Sequence, residues 1–263
     1  MKIYYAKVLK NDLITDDVYD LHLHAPEQVQ KAKVGQFLSI YTGSEAMLLP
    51  RPLSICEIDT KNGVFRVVYK AIGAGTQNIA SFKPGDQARL LGAHGSSYKI
   101  TDGHKKFAIV GGGLGVPPML ALAQKIRAEV PEAKISVFLG FRSKEQVILD
   151  KDFETVADEV HVATDDGSFG TKGNAIELLR AHGGSNADTL FGCGPHIMLK
   201  FLFKFADEFN LPCHVSIEER MACTVGACLA CVCKIVWDSP EGFAYRRVCS
   251  TGPVFNAKEL VWE

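Results

Sequence analysis

The chain has 263 residues, 47% of them hydrophobic and 22% charged, with a formal net charge of -1. That is ordinary globular composition with enough apolar material for a sizeable core, and the length allows two ordinary domains plus a small module. The charge excludes a sequence-independent nucleic-acid binder, which needs a basic surface, and no run of 18 apolar residues is present to span a membrane.

Residues 1–100 read as short strands rich in β-branched and aromatic residues: Ile3–Val8, Val18–Leu23, Gln36–Ile40 and Val64–Tyr69. Lys61-Asn62-Gly63 reads as a hairpin connection and Lys83-Pro84-Gly85-Asp86 as a tight turn. Strands at this spacing predict an antiparallel barrel or sandwich. Near residue 104 the pattern changes. The apolar strand Phe107–Val110 leads through a glycine cluster into helical periodicity over Pro117–Ala128. Strands at Ile135–Leu139, Val160–Ala163 and Asp188–Phe191 then alternate with helices at Asp150–Ala157, Gly173–Ala181 and Pro195–Glu208. Such alternation predicts a doubly wound parallel sheet. From residue 213 the chain turns to cysteines, short strands and turns. The expected division is 1–102 for the barrel, 103–212 for the nucleotide sheet and 213–263 for a metal module.

The start, Met1 to Lys7, carries no apolar stretch of a secretory signal, so a reducing cytoplasm is expected, where structural disulfides rarely persist. There are nonetheless eight cysteines, five of them in the last 41 residues. Cys223-x4-Cys228-x2-Cys231, closed by Cys249, has the plant-type ferredoxin spacing for a [2Fe–2S] cluster. Ala222, Gly226, Ala227 and Ala230 are small enough to bring backbone N–H groups close to sulfur. A four-cysteine zinc site is the alternative, but it usually pairs two short knuckles; simple burial is the other. Cys233, two residues past Cys231, reads as a core cysteine.

Gly111, Gly112, Gly113 and Gly115 follow a strand and precede a helix, where backbone N–H groups and the helix dipole suit a phosphate. The run is not the G-x-G-x-x-G fingerprint. Arg51-Pro52-Leu53-Ser54 opens a strand, and its arginine suits a pyrophosphate. Val68-Tyr69-Lys70 and the turn Gly73-Ala74-Gly75-Thr76 form a second anion-site candidate. Phe191-Gly192-Cys193-Gly194-Pro195 ends a parallel strand, and Cys193 there is a candidate contact of the reacting site. No acid–base pair has convincing spacing, so no catalytic residue is assigned.

Taken together these segments resemble the ferredoxin–NADP reductase superfamily, and the stretch Glu218 to Cys228 narrows the likeness to the electron-transfer subunits of class 1B, NAD-dependent dihydroorotate dehydrogenases. The resemblance implies FAD on Arg51 to Ser54, Val68 to Lys70, Gly75 and Thr76, with Ser54 near the redox edge. It implies NAD on the glycine turn and the cluster on Cys223, Cys228, Cys231 and Cys249. It also implies an FMN-containing catalytic subunit as partner, in a heterotetramer of two plus two. Leu53 departs from the family's flavin-covering tyrosine. Pro117 stiffens the helix start, and Arg142 and Lys144 stand where a 2′-phosphate could be met. A diaphorase-type subunit of a ferredoxin-linked transhydrogenase, hydrogenase or sulfide dehydrogenase shares the layout. A zinc-stabilised nucleotide-binding module without redox role is the reading from a different class.

Overall fold

Alternation of inward and outward side chains sets the faces of the first sheet. In the computed structural model, which describes residues 2–263, seven antiparallel strands form it: β1 (Ile3–Leu13), β2 (Val18–His24), β3 (Phe37–Ile40), β4 (Arg51–Ser54), β5 (Glu57–Asp59), β6 (Val64–Lys70) and β7 (Gln87–His94). They lie in the order β4-β3-β7-β1-β2-β6-β5, a half-barrel. Leu21 and Leu23 of β2, Phe65 and Val67 of β6 and Leu38 and Ile40 of β3 are fully buried in its core. The helices α1 (Pro26–Val29) and α2 (Ala74–Ala80) sit in its connections, and the expected turn at 61–63 joins β5 to β6.

The second sheet has the order β11-β10-β9-β8-β12-β13-β16. Its strands are β8 (Lys106–Gly112), β9 (Lys134–Phe141), β10 (Glu159–Thr164), β11 (Thr171–Lys172), β12 (Thr189–Cys193) and β13 (Cys213–Ser216), all parallel, with β16 (Val254–Asn256) antiparallel at the edge. A sheet of this kind must be covered on both faces. Helices α3 (Val116–Glu129) and α4 (Asp150–Glu154) cover the face toward the half-barrel, and α5 (Ala175–Ala181) and α6 (His196–Glu208) cover the other. Asn174 caps α5 by accepting the N–H groups of Ile176 and Glu177, while Glu177 returns a bond to the Asn174 N–H. That reciprocal box fixes where α5 begins.

The parallel sheet runs past the expected division at 212/213. Cys213 and Val215 point into the core shared with α6, and the strand that carries them pairs with β12. The last residues return to the same sheet through β16. What stands apart is the loop 217–231, the hairpin of β14 (Val232–Val236) and β15 (Phe243–Arg247), and the short helix α7 (Val248–Thr251). Among the described residues no helix is long and apolar enough to cross a membrane.

Candidate cofactor sites and the cluster loop

A cleft of about 1260 Å³ opens where the two sheets meet. Its walls carry Arg51, Pro52, Leu53 and Ser54 of β4, Val68, Tyr69 and Lys70 of β6, and Thr76. Gly112, Gly113, Gly115 and Cys193 face them, and Glu218 to Met221 with Pro253 close the third side. The volume exceeds the ~300–1,000 Å³ of an ordinary small-ligand pocket, so two nucleotides can meet in it. Two residues expected here lie behind the wall. Gly75 is buried beneath the Arg51 guanidinium, and Gly111 packs against Val116.

On the half-barrel side, Arg51 is held by a bond from Nη1 to the Leu49 carbonyl at 2.8 Å. A Cβ at position 75 would lie 2.1 Å from Arg51 Nε, so any side chain there displaces the guanidinium. The Thr76 hydroxyl accepts the Gly73 N–H at 3.2 Å, shaping the turn that enters α2. A planar cation, exposed strand backbone and the apolar faces of Leu53, Phe37 and Ile72 fit FAD, whose pyrophosphate needs the first and whose ring needs the last. Tyr69 contributes differently from expectation. Its hydroxyl donates to Asn11 Oδ1 at 3.2 Å and its ring stacks on Tyr19, so it presents its strand to the cleft and keeps its phenol inside.

On the other wall, the glycine turn joins β8 to α3. Pro117 and Pro118 carry no N–H, and the Val116 N–H is bonded to the Gly113 carbonyl. A phosphate must therefore take its donors from the turn itself, at the positive end of a 14-residue helix. Gly115 makes that approach possible: a Cβ there would lie 2.3 Å from the Cys193 carbonyl carbon. Gly115→Ala will force α3 away from the end of β12. We expect a loss of about 1–3 kcal/mol from overpacking, read by thermal unfolding, together with weakened NADH binding in a fluorescence titration. Unchanged NADH affinity in a folded Gly115→Ala protein would move the nucleotide away from this turn.

Cys193 ends β12 with its thiol turned inward. Burial pushes that thiol up to about 12, and Glu218 pushes in the same direction while a bond with Ser216 opposes both. It is neutral at physiological pH and offers a small polarizable contact. Ser216 is its register partner on β13. The sequence reading missed Ser216 because it ended the parallel sheet before β13; the rule that ligands gather at the carboxyl ends of parallel strands would have found it. Glu218, Pro253 and Phe37 also line the cleft; they lie in stretches that resemble the family, but the sequence reading gave them no role at the site.

The four expected ligands fall into two pairs. Cys223 Sγ accepts the N–H groups of Ala227 and Cys228 at 3.3 Å, and Cys228 Sγ accepts the Cys223 N–H at 3.5 Å. Cys231 Sγ accepts the Cys249 N–H at 3.4 Å. Among the described residues no three His, Cys, Asp or Glu side chains gather tightly enough for one ion. Two ligand pairs are what a two-iron cluster requires. Thr224 and Leu229 adopt positive φ of 60° and 61°, turning the loop's N–H groups inward, and Arg247 Nη1 ties the Gly226 carbonyl at 2.6 Å. Burial of Cys223 raises its pKa, but the N–H groups of Cys228, Val225 and Ala227 outweigh it and bring the thiol down to about 6. Beside it, the buried Thr224 hydroxyl has no hydrogen-bond partner in the protein. A loop that already favours thiolate and leaves a hydroxyl unanswered fits an inserted cluster. Cys233 lies outside both pairs, and burial pushes its thiol up to about 11.

Residues 218–261 match the family model of the iron–sulfur cluster binding domain of dihydroorotate dehydrogenase B, and residues 109–204 that of an oxidoreductase NAD-binding domain. A protein of Geobacillus kaustophilus (strain HTA426) named dihydroorotate dehydrogenase B (NAD(+)), electron transfer subunit, is 39% identical over 97% of this chain and 96% of its own length. One of the same name from Caldanaerobacter subterraneus is 38% identical over 98% of both chains. Among solved structures, a chain of an NADH-dependent reduced ferredoxin-NADP oxidoreductase superposes with a TM-score of 0.84 at 28% identity, covering 98% of this chain and 90% of that one. With relatives 38–39% identical over nearly the full length of both chains, the chain belongs to the family of dihydroorotate dehydrogenase B electron-transfer subunits.

Proposed function

We propose that this chain carries electrons between NAD and a separate FMN-containing subunit that oxidises dihydroorotate to orotate in pyrimidine (UMP) biosynthesis. One observation carries the reading: the Arg51 strand, the glycine turn and the segments flanking the cysteine loop all border one cleft. We assign FAD to the half-barrel, NAD to the parallel sheet and a [2Fe–2S] cluster to Cys223, Cys228, Cys231 and Cys249. When bound, FAD supplies the exchange between two-electron nicotinamide and one-electron cluster chemistry.

The chain's own residues position and insulate. Arg51 balances the pyrophosphate charge, with Gly75 leaving room for its guanidinium. Ser54 ends β4 on the cleft wall, where it can bond to the ring edge. The 113–115 turn fixes the second nucleotide, and Cys193 with Ser216 packs the floor as neutral groups that neither give nor take protons. Val225 and Leu229 flank the exposed Cys228 in the loop and present apolar surface to solvent, as do Val236, Trp237 and Tyr245 on the hairpin that follows. An apolar patch beside the cluster supports docking of the partner subunit there, in the two-plus-two assembly that family membership implies. NAD rather than NADP is assigned on the same ground, although Arg142 also lines the cleft. Cys56, Cys193, Cys213 and Cys233, the cysteines outside the assigned cluster, are free thiols, which supports a reducing cytoplasmic setting.

Native purification followed by an anaerobic assay tests the reading. The chain should co-purify with an FMN protein, and the complex should reduce NAD+ when given dihydroorotate. Co-purification with a ferredoxin-linked transhydrogenase or hydrogenase subunit, with no orotate formed, would replace the partner and keep the cofactors. A colourless zinc protein would overturn both.

A further inference from the structure

The segment that carries the last cysteine ligand toward the cleft is hydrogen-bonded to the half-barrel by Ser96. Ser96, two positions past β7, donates its N–H to the Gly252 carbonyl at 2.5 Å. Its hydroxyl accepts the Val254 N–H at 2.9 Å and donates to the Val254 carbonyl at 2.8 Å, joining residues 158 apart in sequence. The backbone beside it leaves no slack. Gly95 has a φ of +91°, and a Cβ there would lie 2.8 Å from both the Gly252 carbonyl and Pro253 Cδ. Gln36 Nε2 donates to the Gly95 carbonyl at 2.9 Å, tying this junction to the neighbour of Phe37. Phe37 and Pro253 both face the cleft.

The same segment is held from its other side by the parallel sheet. Ile217 donates its N–H to the Pro253 carbonyl at 3.0 Å, and β16 pairs with β13. Two sets of bonds therefore fix residues 252–254: one to the sheet that we assign to NAD, and one, through Ser96, to the half-barrel that we assign to FAD. Cys249 lies three residues before Gly252. Removing the Ser96 hydroxyl keeps the segment on the nucleotide sheet and loosens it from the half-barrel.

We propose that Ser96 is a positioning residue for the electron step between the cysteine loop and the flavin pocket, setting their separation through its staple to Gly252 and Val254. This rests on the electron-transfer reading above. It adds to that reading a residue that touches neither cofactor site directly and whose loss should separate two steps that share the flavin. NADH-to-flavin transfer depends on how the half-barrel meets the glycine turn. Flavin-to-cluster transfer depends in addition on the staple.

The test is Ser96→Ala, with Ser96→Thr as the conservative partner, in the full chain loaded with FAD and cluster. Under anaerobic mixing with NADH, bleaching of the flavin should keep its rate and its NADH dependence. Growth of the reduced-cluster electron paramagnetic resonance signal should slow several-fold, because electron transfer weakens as the cysteine loop and the flavin pocket move apart. The line shape of that signal and both midpoint potentials should be unchanged, and Ser96→Thr should restore the rate. Hydrogen exchange at 252–255 should rise in Ser96→Ala, with or without cofactors. The proposal is overturned if cluster reduction keeps its rate in Ser96→Ala, whether or not exchange rises. It is equally overturned if flavin and cluster reduction slow together, which is what a merely structural residue would give. Failure of the wild-type cluster to accept electrons from NADH would instead sink the electron-transfer reading.

Discussion

Cys228→Ser will abolish dihydroorotate-driven NAD+ reduction by the assembled complex while NADH still reduces the flavin. Cys228 belongs to the outer pair with Cys223 and is the exposed member of the four. Serine offers hard oxygen, a poor replacement for soft sulfur on iron. The loss should appear first in the isolated chain, as missing visible absorption and missing cluster resonance, before any assay of the complex. Cys233→Ser is the matched control. That residue sits on β14 outside both pairs, so the variant should keep its cluster and its rate. If a cluster-free Cys228→Ser complex still reduces NAD+ from dihydroorotate, electrons reach the flavin without the cysteine loop, and the assigned route is wrong.

Much of this architecture can be read from local signals, because the signals are short and chemically constrained. Strand, glycine turn and helix stand in sequence at 106–129, and three of the four candidate ligands lie within nine residues. What escaped reading depends on pairing at long range. Residues 213–216 carry an ordinary alternating pattern that fits a module strand as well as a sheet strand. Only the register against β12 puts Ser216 beside Cys193. Pro253 meets the cleft because β16 folds back onto β13, and no local feature of Gly252-Pro253-Val254 announces Ser96 as its partner. Tyr69 shows the opposite case: the strand was placed correctly, but strand alternation alone does not say that Asn11 waits inside for the phenol. The same holds for the cysteines, whose spacing names four candidate ligands while their sorting into two pairs appears only once the loop is folded.

The largest loss of stability should come from Arg66, which joins the two halves of the molecule. Arg66 Nε bonds to Asp20 Oδ1 at 2.9 Å within the half-barrel, and its Nη1 reaches Asp152 on α4 in the nucleotide unit. The Asp20 side chain is only 5% exposed, with Lys10 at 3.3 Å and His22 at 3.2 Å as its other neighbours. Burial alone would raise the Asp20 pKa, but the nearby His22 and the bond from Arg66 outweigh it and hold the carboxyl far below the ordinary aspartate value. Arg66→Met leaves that carboxylate buried with its main partner gone, a change that typically costs about 3–5 kcal/mol. The double variant Asp20→Leu with Arg66→Met should recover much of the loss, because an apolar pair of similar volume carries no desolvation penalty. The sign of the pH dependence follows from the depressed folded pKa. The Asp20 contribution is complete above the unfolded value of about 3.9 and disappears as pH falls below it. His94 adds an earlier stage. Burial lowers it to about 4, so the unfolded chain takes up the proton first and stability declines as pH drops from about 6.5. Urea midpoints measured between pH 7 and pH 3 should therefore fall in two stages for the wild type. Arg66→Met should start lower and show a smaller second stage, because Asp20 without its arginine keeps only His22 and Lys10 against the burial that raises its pKa. A wild-type profile that is flat below pH 4, or an Arg66→Met midpoint equal to wild type at pH 7, would show that this network links the two units without holding them together.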